Sequence, residues 1–389
     1  MAAKNSMLFE FLLLASLFIL FYIYYGYLVV LRLIDFFYKN HSLSDAPCDS
    51  SYTPKITVLI TAYNEEEKIL KRVKNILQCE YFDSSLEVIV ASDGSTDCTD
   101  QIVNSISDNR VKLFRPETRV GKTETQNLAI QHANGEIIVF TDAESEFKNN
   151  FLINLVKKFS NSRVGCVTGS LYFTTNVDST ISVGQGYYWS YELKIRKIES
   201  RLGMLAVSSG ACMAIRKSLF NKIEGAYGED CIIPLDVILS KHYVVHASNA
   251  IAYDRMECEV ETELSTRSRM TLRNWQGTWS KKTLLNPFKF PSYSFSLWSH
   301  KVLRWLSPIF ILILSISAFI LSSDSIFYWY ISLAVFSFYM AGIVGWVAGL
   351  KGLSIPIISN IYVFILANIG FMIGLFGVIK GKHLRIYRN

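Results

Sequence analysis

Two acidic residues, Asp142 and Glu144, directly follow a run of apolar residues and are separated only by the small residue Ala143. The apolar run, residues 137–140, has the composition of a strand that is buried on both faces. In an open α/β sheet, ligands bind just beyond the carboxyl ends of strands, so we expect both carboxylates at the rim of a cleft. Paired carboxylates suit a hard divalent cation, Mg²⁺ or Mn²⁺, with substrate phosphates completing its coordination. For this segment alone, a solvated acidic turn is the alternative.

Two further carboxylates are expected at the same edge of the sheet. Glu65 follows the β-branched segment 55–61, and Asp93 follows the apolar segment 86–91. Helical patterns follow both segments, and a further short strand is predicted over 111–114. This alternation predicts an α/β fold with a doubly wound, mostly parallel sheet. Because clustered carboxylates repel one another unless a cation or a donor-rich ligand lies among them, the pattern predicts a binding site.

The composition of the chain indicates a membrane protein. Half of its 389 residues are hydrophobic and its mean hydropathy is +0.25, with the apolar excess at the two ends. Four segments are long and apolar enough to cross a bilayer as helices: 11–31, 303–321, 326–350 and 355–379. We therefore expect an N-terminal transmembrane helix with a linker (1–50), an α/β domain (51–286), an interfacial segment (287–302), and three C-terminal membrane helices with a basic tail (303–389).

Charge and cysteine patterns narrow the location and the partners. The net charge of +6 is modest, and the central domain has no basic block with interleaved aromatics, so nucleic-acid binding is not indicated. Seven scattered cysteines without a C-x-x-C pair favour reduced thiols in the cytosol. The loop 322–325 lacks Lys and Arg and is expected outside, which places the domain on the cytoplasmic face of the cell membrane. A complete crossing by 355–379 would place the basic tail outside, so a broken or re-entrant path stays open.

Two nucleotide-binding motifs can be excluded. The segment 121–123, Gly-Lys-Thr, resembles the end of a phosphate loop, but Pro116 stands where that motif requires glycine. No G-x-G-x-x-G sequence follows any predicted strand, which argues against a dinucleotide fold of that type. Lys122 can still contact a diphosphate as a point charge, or it is a solvated side chain.

Several motifs taken together resemble a known enzyme family. In chain order they are Ala62-Tyr63-Asn64-Glu65, Ser92-Asp93-Gly94-Ser95-Thr96-Asp97, Gly121-Lys122, Asp142-Ala143-Glu144, Gly210-Ala211-Cys212-Met213-Ala214-Ile215-Arg216 and Gly228-Glu229-Asp230. Their order and spacing resemble the family 2 glycosyltransferases of the GT-A fold, over most of residues 55–280.

The resemblance assigns roles on the donor side of the site. It implies that Ala62, Glu65 and Asp93 hold the base and ribose of a nucleotide-sugar donor, a UDP-sugar, and that Lys122 lies near the nucleotide. It also places Asp142 and Glu144 at the two D-x-D positions that carry the metal ion. The family usually has aspartate at the second position, and Glu144 is longer by one methylene group.

The resemblance further implies that Asp230 is the general base. A carboxylate that removes the proton from the attacking hydroxyl, opposite the departing diphosphate, gives inversion at the anomeric carbon. The alternative is that Asp230 only caps the apolar helix that follows it, which would stabilise the fold by about 1 kcal/mol.

Downstream of Asp230, the chain departs from the pattern of polymerising members. Where these carry Q-x-x-R-W, this chain has Thr266 and Met270 in place of Gln and Trp. Three arginines are expected to stabilise the diphosphate: Arg267, Arg269 and Arg273. Trp275 either stacks on an acceptor sugar or packs against the membrane-proximal face.

These observations predict a membrane-anchored, metal-dependent, inverting glycosyltransferase, with a possible homo-oligomeric state. It would transfer one sugar or a short chain to a glycan or lipid-linked acceptor. A processive polysaccharide synthase is the main alternative. It would require a translocation channel, which four helices supply only if chains associate. A transporter or non-catalytic scaffold is the second alternative, and it is disfavoured because the predicted spans carry almost no ionisable residues.

Overall fold

A computed structural model describes residues 2–38, 52–174, 180–255, 260–353 and 355–382. Its centre is one eight-stranded sheet with the strand order β3-β2-β1-β4-β7-β6-β8-β5. The strands are β1 Ile56–Ala62, β2 Leu86–Ser92, β3 Val111–Phe114, β4 Ile137–Asp142, β5 Glu146–Phe147, β6 Val164–Thr174, β7 Met213–Arg216 and β8 Tyr243–Arg255.

The sheet has a parallel half and a mixed half. Strands β3, β2, β1 and β4 are parallel neighbours, whereas β7 pairs antiparallel with β4 and β6, and β5 pairs antiparallel with β8. The strand β1 is buried along almost its whole length, as a strand covered on both faces must be. The predicted α/β fold with a mostly parallel sheet is confirmed, and the antiparallel β7 makes the sheet mixed.

Thirteen α-helices are found in the part of the chain that the structure describes. They are α1 Ala2–Phe21, α2 Tyr27–Phe37, α3 Ile69–Leu77, α4 Thr99–Asn104, α5 Lys122–Gln131, α6 Phe151–Val156, α7 Thr180–Arg201, α8 Glu229–Leu239, α9 Val260–Ser280, α10 Pro291–Ser296, α11 Leu303–Leu321, α12 Ile326–Leu350 and α13 Pro356–Ile379. Short π-helical turns join α1 to α2 (Tyr22–Gly26) and α10 to α11 (Leu297–Val302).

Four helical segments of the described chain are long and apolar enough to cross a membrane: Ser6–Phe37, Pro291–Leu321, Ile326–Leu350 and Pro356–Ile379. The expected segment 326–350 is reproduced, 355–379 begins one residue later, 11–31 is extended at both ends, and 303–321 is extended at its start to Pro291. The segment 287–302, which we expect to be interfacial, is partly helical. From Pro291 onward its residues form the first turns of a helix that continues to Leu321.

The last helix, α13, returns to the α/β domain. Gly370 and Gly374 of α13 lie so close to α9 that an added Cβ would come within 2.8 Å of Arg267 Cβ and within 2.7 Å of Thr271 Cβ, respectively. At the end of α13, the backbone oxygen of Lys382 accepts a hydrogen bond of 2.7 Å from Gln276 Nε2. Residue 382 therefore lies against α9 of the α/β domain.

Candidate active site

The carboxyl ends of β1, β2 and β4 meet at one edge of the sheet. In the register of the parallel half, Ala62 is paired with Ser92, and Thr61 is paired with Asp142. The backbone oxygen of Ala62 accepts a hydrogen bond of 2.9 Å from the backbone N–H of Asp93. The structure thus places Ala62, Asp93 and Asp142, predicted from separate motifs, next to one another.

Asp93 organises the loop that leads into α5. Its buried carboxylate accepts hydrogen bonds of 2.9 Å from the backbone N–H groups of Val120 and Gly121 and from Thr125 Oγ1. Gly121 has φ of 92°, a conformation that favours glycine, so the loop can turn sharply into the helix. Arg119 covers this corner, with its guanidinium 3.6 Å from the ring centre of Tyr63.

Lys122, in the first turn of α5, joins two parts of the site. Its Nζ lies 2.7 Å from Asp142 Oδ1 and 2.8 Å from Glu229 Oε1. Although burial of Glu229 acts in the opposite direction, the positive charges of Lys122 and Arg273 lower the pKa of Glu229 below its ordinary value, so it stays ionised. The lysine therefore lies between the carboxylate at the end of β4 and the Glu-Asp pair that begins α8.

Glu65 and Glu144 lie at the more exposed side of the same edge, where Lys68 bridges them. Lys68 Nζ is 3.3 Å from Glu65 Oε2 and 3.2 Å from Glu144 Oε2. Burial, together with the nearby charges of Glu144 and Asp142, raises the pKa of Glu65 against the opposing effect of Lys68. The carboxylates are thus close enough to repel one another, as the sequence pattern predicted.

Asp230 lies in the first turn of α8 and faces a cavity. Gly228 is the N-cap residue and no side chain caps this helix, so the capping alternative for Asp230 is wrong. A Cβ on Gly228 would come within 2.6 Å of Asp230 Oδ1, so glycine makes room for this carboxylate. Burial and the charge of Glu229 raise the pKa of Asp230, while Arg273 and Lys122 act in the opposite direction. A raised pKa suits a carboxylate that must accept a proton.

The three arginines of α9 occupy different environments. The buried Arg273 donates to Thr123 Oγ1 at 3.0 Å and to the backbone oxygen of Tyr227, which ties the start of α5 to the segment before α8. Arg267 forms an ion pair with Glu263 and lines the cavity. Arg269 is partly buried and is not among the residues that line the cavity.

Trp275 lies in the apolar packing between α9 and the candidate membrane helices. Its ring is stacked with Trp279 at 6.3 Å and is tilted against Trp305 at 5.9 Å between centres. It does not line the cavity, although Trp305 does. This placement corresponds to the packing alternative for Trp275.

The cavity beside Asp230 has a volume of about 280 Å³. The α/β domain contributes Asp230, and α9 contributes Arg267 and Met270. Residues from α7, from the α10–α11 segment and from α13 complete the wall: Glu192, Arg196, Leu297, Lys301, Arg304, Trp305 and Phe371. The cavity therefore extends from the candidate base to the helices that are long enough to cross a membrane.

The residues at the end of β4 fit a divalent cation only if a substrate supplies further ligands. Asp142 and Glu144 offer hard carboxylate oxygens, and their side chains are 32% and 46% exposed. No group of three His, Cys, Asp or Glu residues that could hold a metal occurs within the described ranges. The donor set therefore matches a cation that is shared with a diphosphate rather than one held in an all-protein cage.

Sequence reasoning missed the role of Glu229. The motif Gly228-Glu229-Asp230 was interpreted through its aspartate alone, whereas Glu229 is the residue that contacts Lys122. The contribution of α7 to the cavity was also missed, because Glu192 and Arg196 belong to none of the motifs. The signal that could have indicated them is the presence of charged residues in a segment that also carries apolar ones.

Comparison with known proteins shows which proteins the chain is similar to. Residues 57–224 match the family model described as Glycosyl transferase family 2. The beta-monoglucosyldiacylglycerol synthase of Nostoc sp. is 25% identical over 193 residues, which are 49% of this chain and 41% of that protein. The GalNAc(5)-diNAcBac-PP-undecaprenol beta-1,3-glucosyltransferase of Campylobacter jejuni is 26% identical over 204 residues, 50% of this chain and 62% of that protein. Both matches span less than two thirds of the relative's length.

A solved structure matches almost the whole chain. The mannosyltransferase PcManGT from Pyrobaculum calidifontis, in complex with GDP-Man and Mn²⁺, has a TM-score of 0.72 and covers 96% of this chain and 100% of its own, at 19% identity. The likeness shows that the GT-A-like domain and the helices at both ends form a fold that also occurs in that protein.

Proposed function

We propose that this chain, which carries a family 2 glycosyltransferase domain, transfers a sugar from a nucleotide-sugar to an acceptor hydroxyl at the cytoplasmic face of the cell membrane. The observation that carries the proposal is the bridging position of Lys122 between Asp142 and Glu229. The ammonium group of Lys122 thereby links the candidate diphosphate site at the end of β4 to Asp230, the candidate base, which is next to Glu229 in the chain. The related proteins that act on lipids or lipid-linked glycans support a membrane-surface acceptor.

On the donor side, Ala62, Glu65 and Asp93 would hold the nucleoside, a uridine in our proposal. Lys122 lies where it can bind an oxygen of the diphosphate and offset the charge that grows as the sugar departs. Asp142, with Glu144 as a further ligand, would hold Mg²⁺ or Mn²⁺, which supplies additional neutralisation of the leaving diphosphate. The Mn²⁺ in the structural relative supports a divalent cation of this class.

On the acceptor side, Asp230 would remove the proton from the attacking hydroxyl. The acceptor oxygen forms a bond to the anomeric carbon while the bond to the diphosphate breaks, and the bonding electrons leave with the nucleoside diphosphate. Because attack and departure are in line, the anomeric configuration inverts. The raised pKa of Asp230 favours uptake of the proton in this step.

A panel of nucleotide sugars, incubated with the full chain in membranes, tests the proposal. The panel contains UDP-sugars and GDP-mannose, and release of the free nucleoside diphosphate is measured. We expect one donor to be used, and Asp230→Asn to reduce turnover by roughly 10²- to 10⁴-fold while donor binding is retained. Asp236→Asn is the matched control, because Asp236 lies on the same helix but pairs with Lys281 and does not line the cavity.

Two outcomes would contradict the proposal. Turnover that Asp230→Asn leaves unchanged would remove Asp230 from the mechanism, and the absence of nucleoside diphosphate with every donor would contradict glycosyl transfer itself.

Metal dependence is tested separately with EDTA, which we expect to abolish turnover until Mg²⁺ or Mn²⁺ is restored. Asp142→Ala should weaken both metal and donor binding.

A further inference from the structure

A buried arginine lies directly behind the segment that carries the two candidate metal ligands, and it belongs to none of the sequence motifs. We propose that Arg72 of α3 is a positioning residue that holds the β4–β5 loop, residues 142–146, in the conformation that binds the divalent cation. It would act through the carboxylates of Asp142 and Glu144 rather than touch the substrate. This inference rests on the proposed function, because it concerns the metal site of the same reaction.

Arg72 contacts both ends of the β4–β5 loop. Its Nη2 donates a hydrogen bond of 2.6 Å to Oγ1 of Thr141, the residue directly before Asp142. Its Nη1 donates a hydrogen bond of 2.5 Å to Oδ1 of Asn75, one turn further along α3. At the other end of the loop, the guanidinium carbon lies 4.0 Å from the ring centre of Phe147, the last residue of β5. One planar side chain thereby spans the entry and the exit of the loop.

The partners of Arg72 are themselves fixed to the fold. Asn75 pairs with the backbone of Phe147 in both directions, donating from Nδ2 to the backbone oxygen at 2.9 Å and accepting from the backbone N–H at 2.8 Å. The hydroxyl of Thr141 donates to the backbone oxygen of Ala211 at 2.9 Å, so its oxygen is left to accept from Arg72. Arg72 therefore connects two anchored points, and the loop between them has little freedom.

Two lysines of α3 hold the same loop from its exposed side. Lys68 Nζ lies 3.2 Å from Glu144 Oε2, and Lys71 Nζ lies 2.7 Å from Glu146 Oε2. Pairs this exposed contribute little to stability and are screened by salt, so they do not by themselves determine the conformation of the loop. The buried contacts of Arg72 do so instead, because they exclude water and use the directional donors of a guanidinium.

The burial of Arg72 has a cost that its contacts with the loop explain. The residue is 2% exposed, and its partners Thr141 and Asn75 are neutral. Burial lowers the pKa of Arg72 to about 10, although nearby acidic groups, Asp142 and Asp254 among them, act in the opposite direction. A charge that is buried against neutral partners is unfavourable to the fold, and an apolar side chain would avoid this cost. What the guanidinium provides in return is the support of the candidate metal loop.

The sign of the effect on metal binding separates positioning from simple electrostatics. The positive charge of Arg72 repels a metal ion, so removal of the charge alone would tighten Mn²⁺ binding. Loss of the support for the loop would instead weaken Mn²⁺ binding, because the metal would then have to order Asp142 and Glu144 itself. Weaker binding is therefore the result that indicates positioning.

Mn²⁺ binding to the full chain in detergent tests the inference without requiring turnover. Electron paramagnetic resonance measures free Mn²⁺ during titrations with UDP present and, in a second series, with GDP present. Arg72→Met keeps the length of the side chain but removes its donors, and we expect it to raise the Mn²⁺ dissociation constant by roughly tenfold or more. Thr141→Val, which removes one hydroxyl at constant shape, should shift the constant in the same direction and decides the test if thermal unfolding shows that Arg72→Met does not fold.

Arg216→Met is the matched control. Arg216 also packs on an aromatic ring, with its guanidinium carbon 5.3 Å from the ring centre of Phe159, and it donates to the backbone oxygen of Val164 at 2.8 Å. It pairs with Ile137 at the opposite end of β4, so its loss should lower stability and leave Mn²⁺ affinity unchanged.

Three results would overturn the inference: unchanged Mn²⁺ affinity in Arg72→Met, tighter Mn²⁺ binding in that variant, or an equal loss of affinity in Arg216→Met. A failure of the proposed function looks different, because the wild type itself would then neither bind Mn²⁺ with a nucleoside diphosphate nor require a divalent cation for transfer. If the wild type requires Mn²⁺ and Arg72→Met positions the loop poorly, excess Mn²⁺ should restore most of its kcat, which a general loss of folding would not allow.

Discussion

At the scale of single residues, the ionisation of Asp230 is the property with the clearest consequence. In the proposed mechanism Asp230 is the general base and must be ionised, and burial together with the charge of Glu229 raises its pKa. We therefore expect kcat/KM to fall with decreasing pH through a limb that lies above the ordinary range of an aspartate. Glu229→Gln removes one of the charges that raise this pKa, so the limb should move to lower pH while the maximal rate decreases, because Lys122 loses a partner.

The measurement is the pH profile of kcat/KM for the wild type and Glu229→Gln. Glu124→Gln is a matched control, since Glu124 also contacts a lysine, Lys222, but on the exposed surface. Its profile should coincide with that of the wild type. A limb that Glu229→Gln leaves at the same pH would show that Asp230 is not the group that titrates.

Sequence motifs identified many of the residues at this scale but not their contacts. Asp93 and Asp142 were predicted because each follows a buried strand, and the carboxyl ends of such strands form the ligand-binding edge of an α/β sheet. The link between Lys122 and Glu229 could not be predicted, since 107 positions separate the two residues in the chain and only the tertiary fold brings the first turns of α5 and α8 together. Placement of Trp275 and Arg269 likewise depended on which face of α9 meets the membrane helices.

At the scale of elements, α13 closes the cavity because its glycines allow close approach to α9. A Cβ at Gly374 would lie 2.7 Å from Thr271 Cβ and 2.8 Å from Ser268 O, whereas one at Gly377 would have its nearest neighbour at 3.5 Å. Gly374→Ala should therefore force the helices apart and reduce stability by about 1–3 kcal/mol, with loss of activity as Phe371 leaves the cavity wall. Gly377→Ala, the same change one turn away, should be tolerated.

Thermal unfolding in detergent and the transfer rate together check this prediction. If Gly374→Ala and Gly377→Ala behaved alike, the close packing of α13 on α9 would not be what closes the cavity.

Helix bounds at this scale were predicted well from hydrophobic length, as α11 and α12 show. Strands β6, β7 and β8 were not predicted. The antiparallel insertion of the four-residue β7 between β4 and β6 is a long-range pairing without a local pattern.

At the scale of the whole molecule, the N-terminal helical segment is long and apolar enough to cross a membrane, and it also contacts α7 beside the cavity. Tyr27, which is fully buried, donates a hydrogen bond of 2.6 Å to Glu199, and Ser296 and His300 from the C-terminal helices meet the same carboxylate. Three parts of the chain that are distant in sequence are thereby joined at one residue of α7. Composition predicted the four long apolar helices individually, but it contains no information on which of them would meet α7.

Tyr27→Phe tests whether this junction supports the cavity. The change removes one hydroxyl without altering the ring, so Glu199 loses a charged hydrogen bond, and we expect a loss of about 1–3 kcal/mol in stability. Because Glu199 positions His300, whose Nε2 lies 2.9 Å from Glu192 in the cavity wall, the KM for the acceptor should rise while the donor KM stays the same. Tyr25→Phe is the matched control, since Tyr25 lies in the same helical segment and is 68% exposed. Equal acceptor KM values in Tyr27→Phe, Tyr25→Phe and the wild type would mean that the N-terminal helix is an anchor alone.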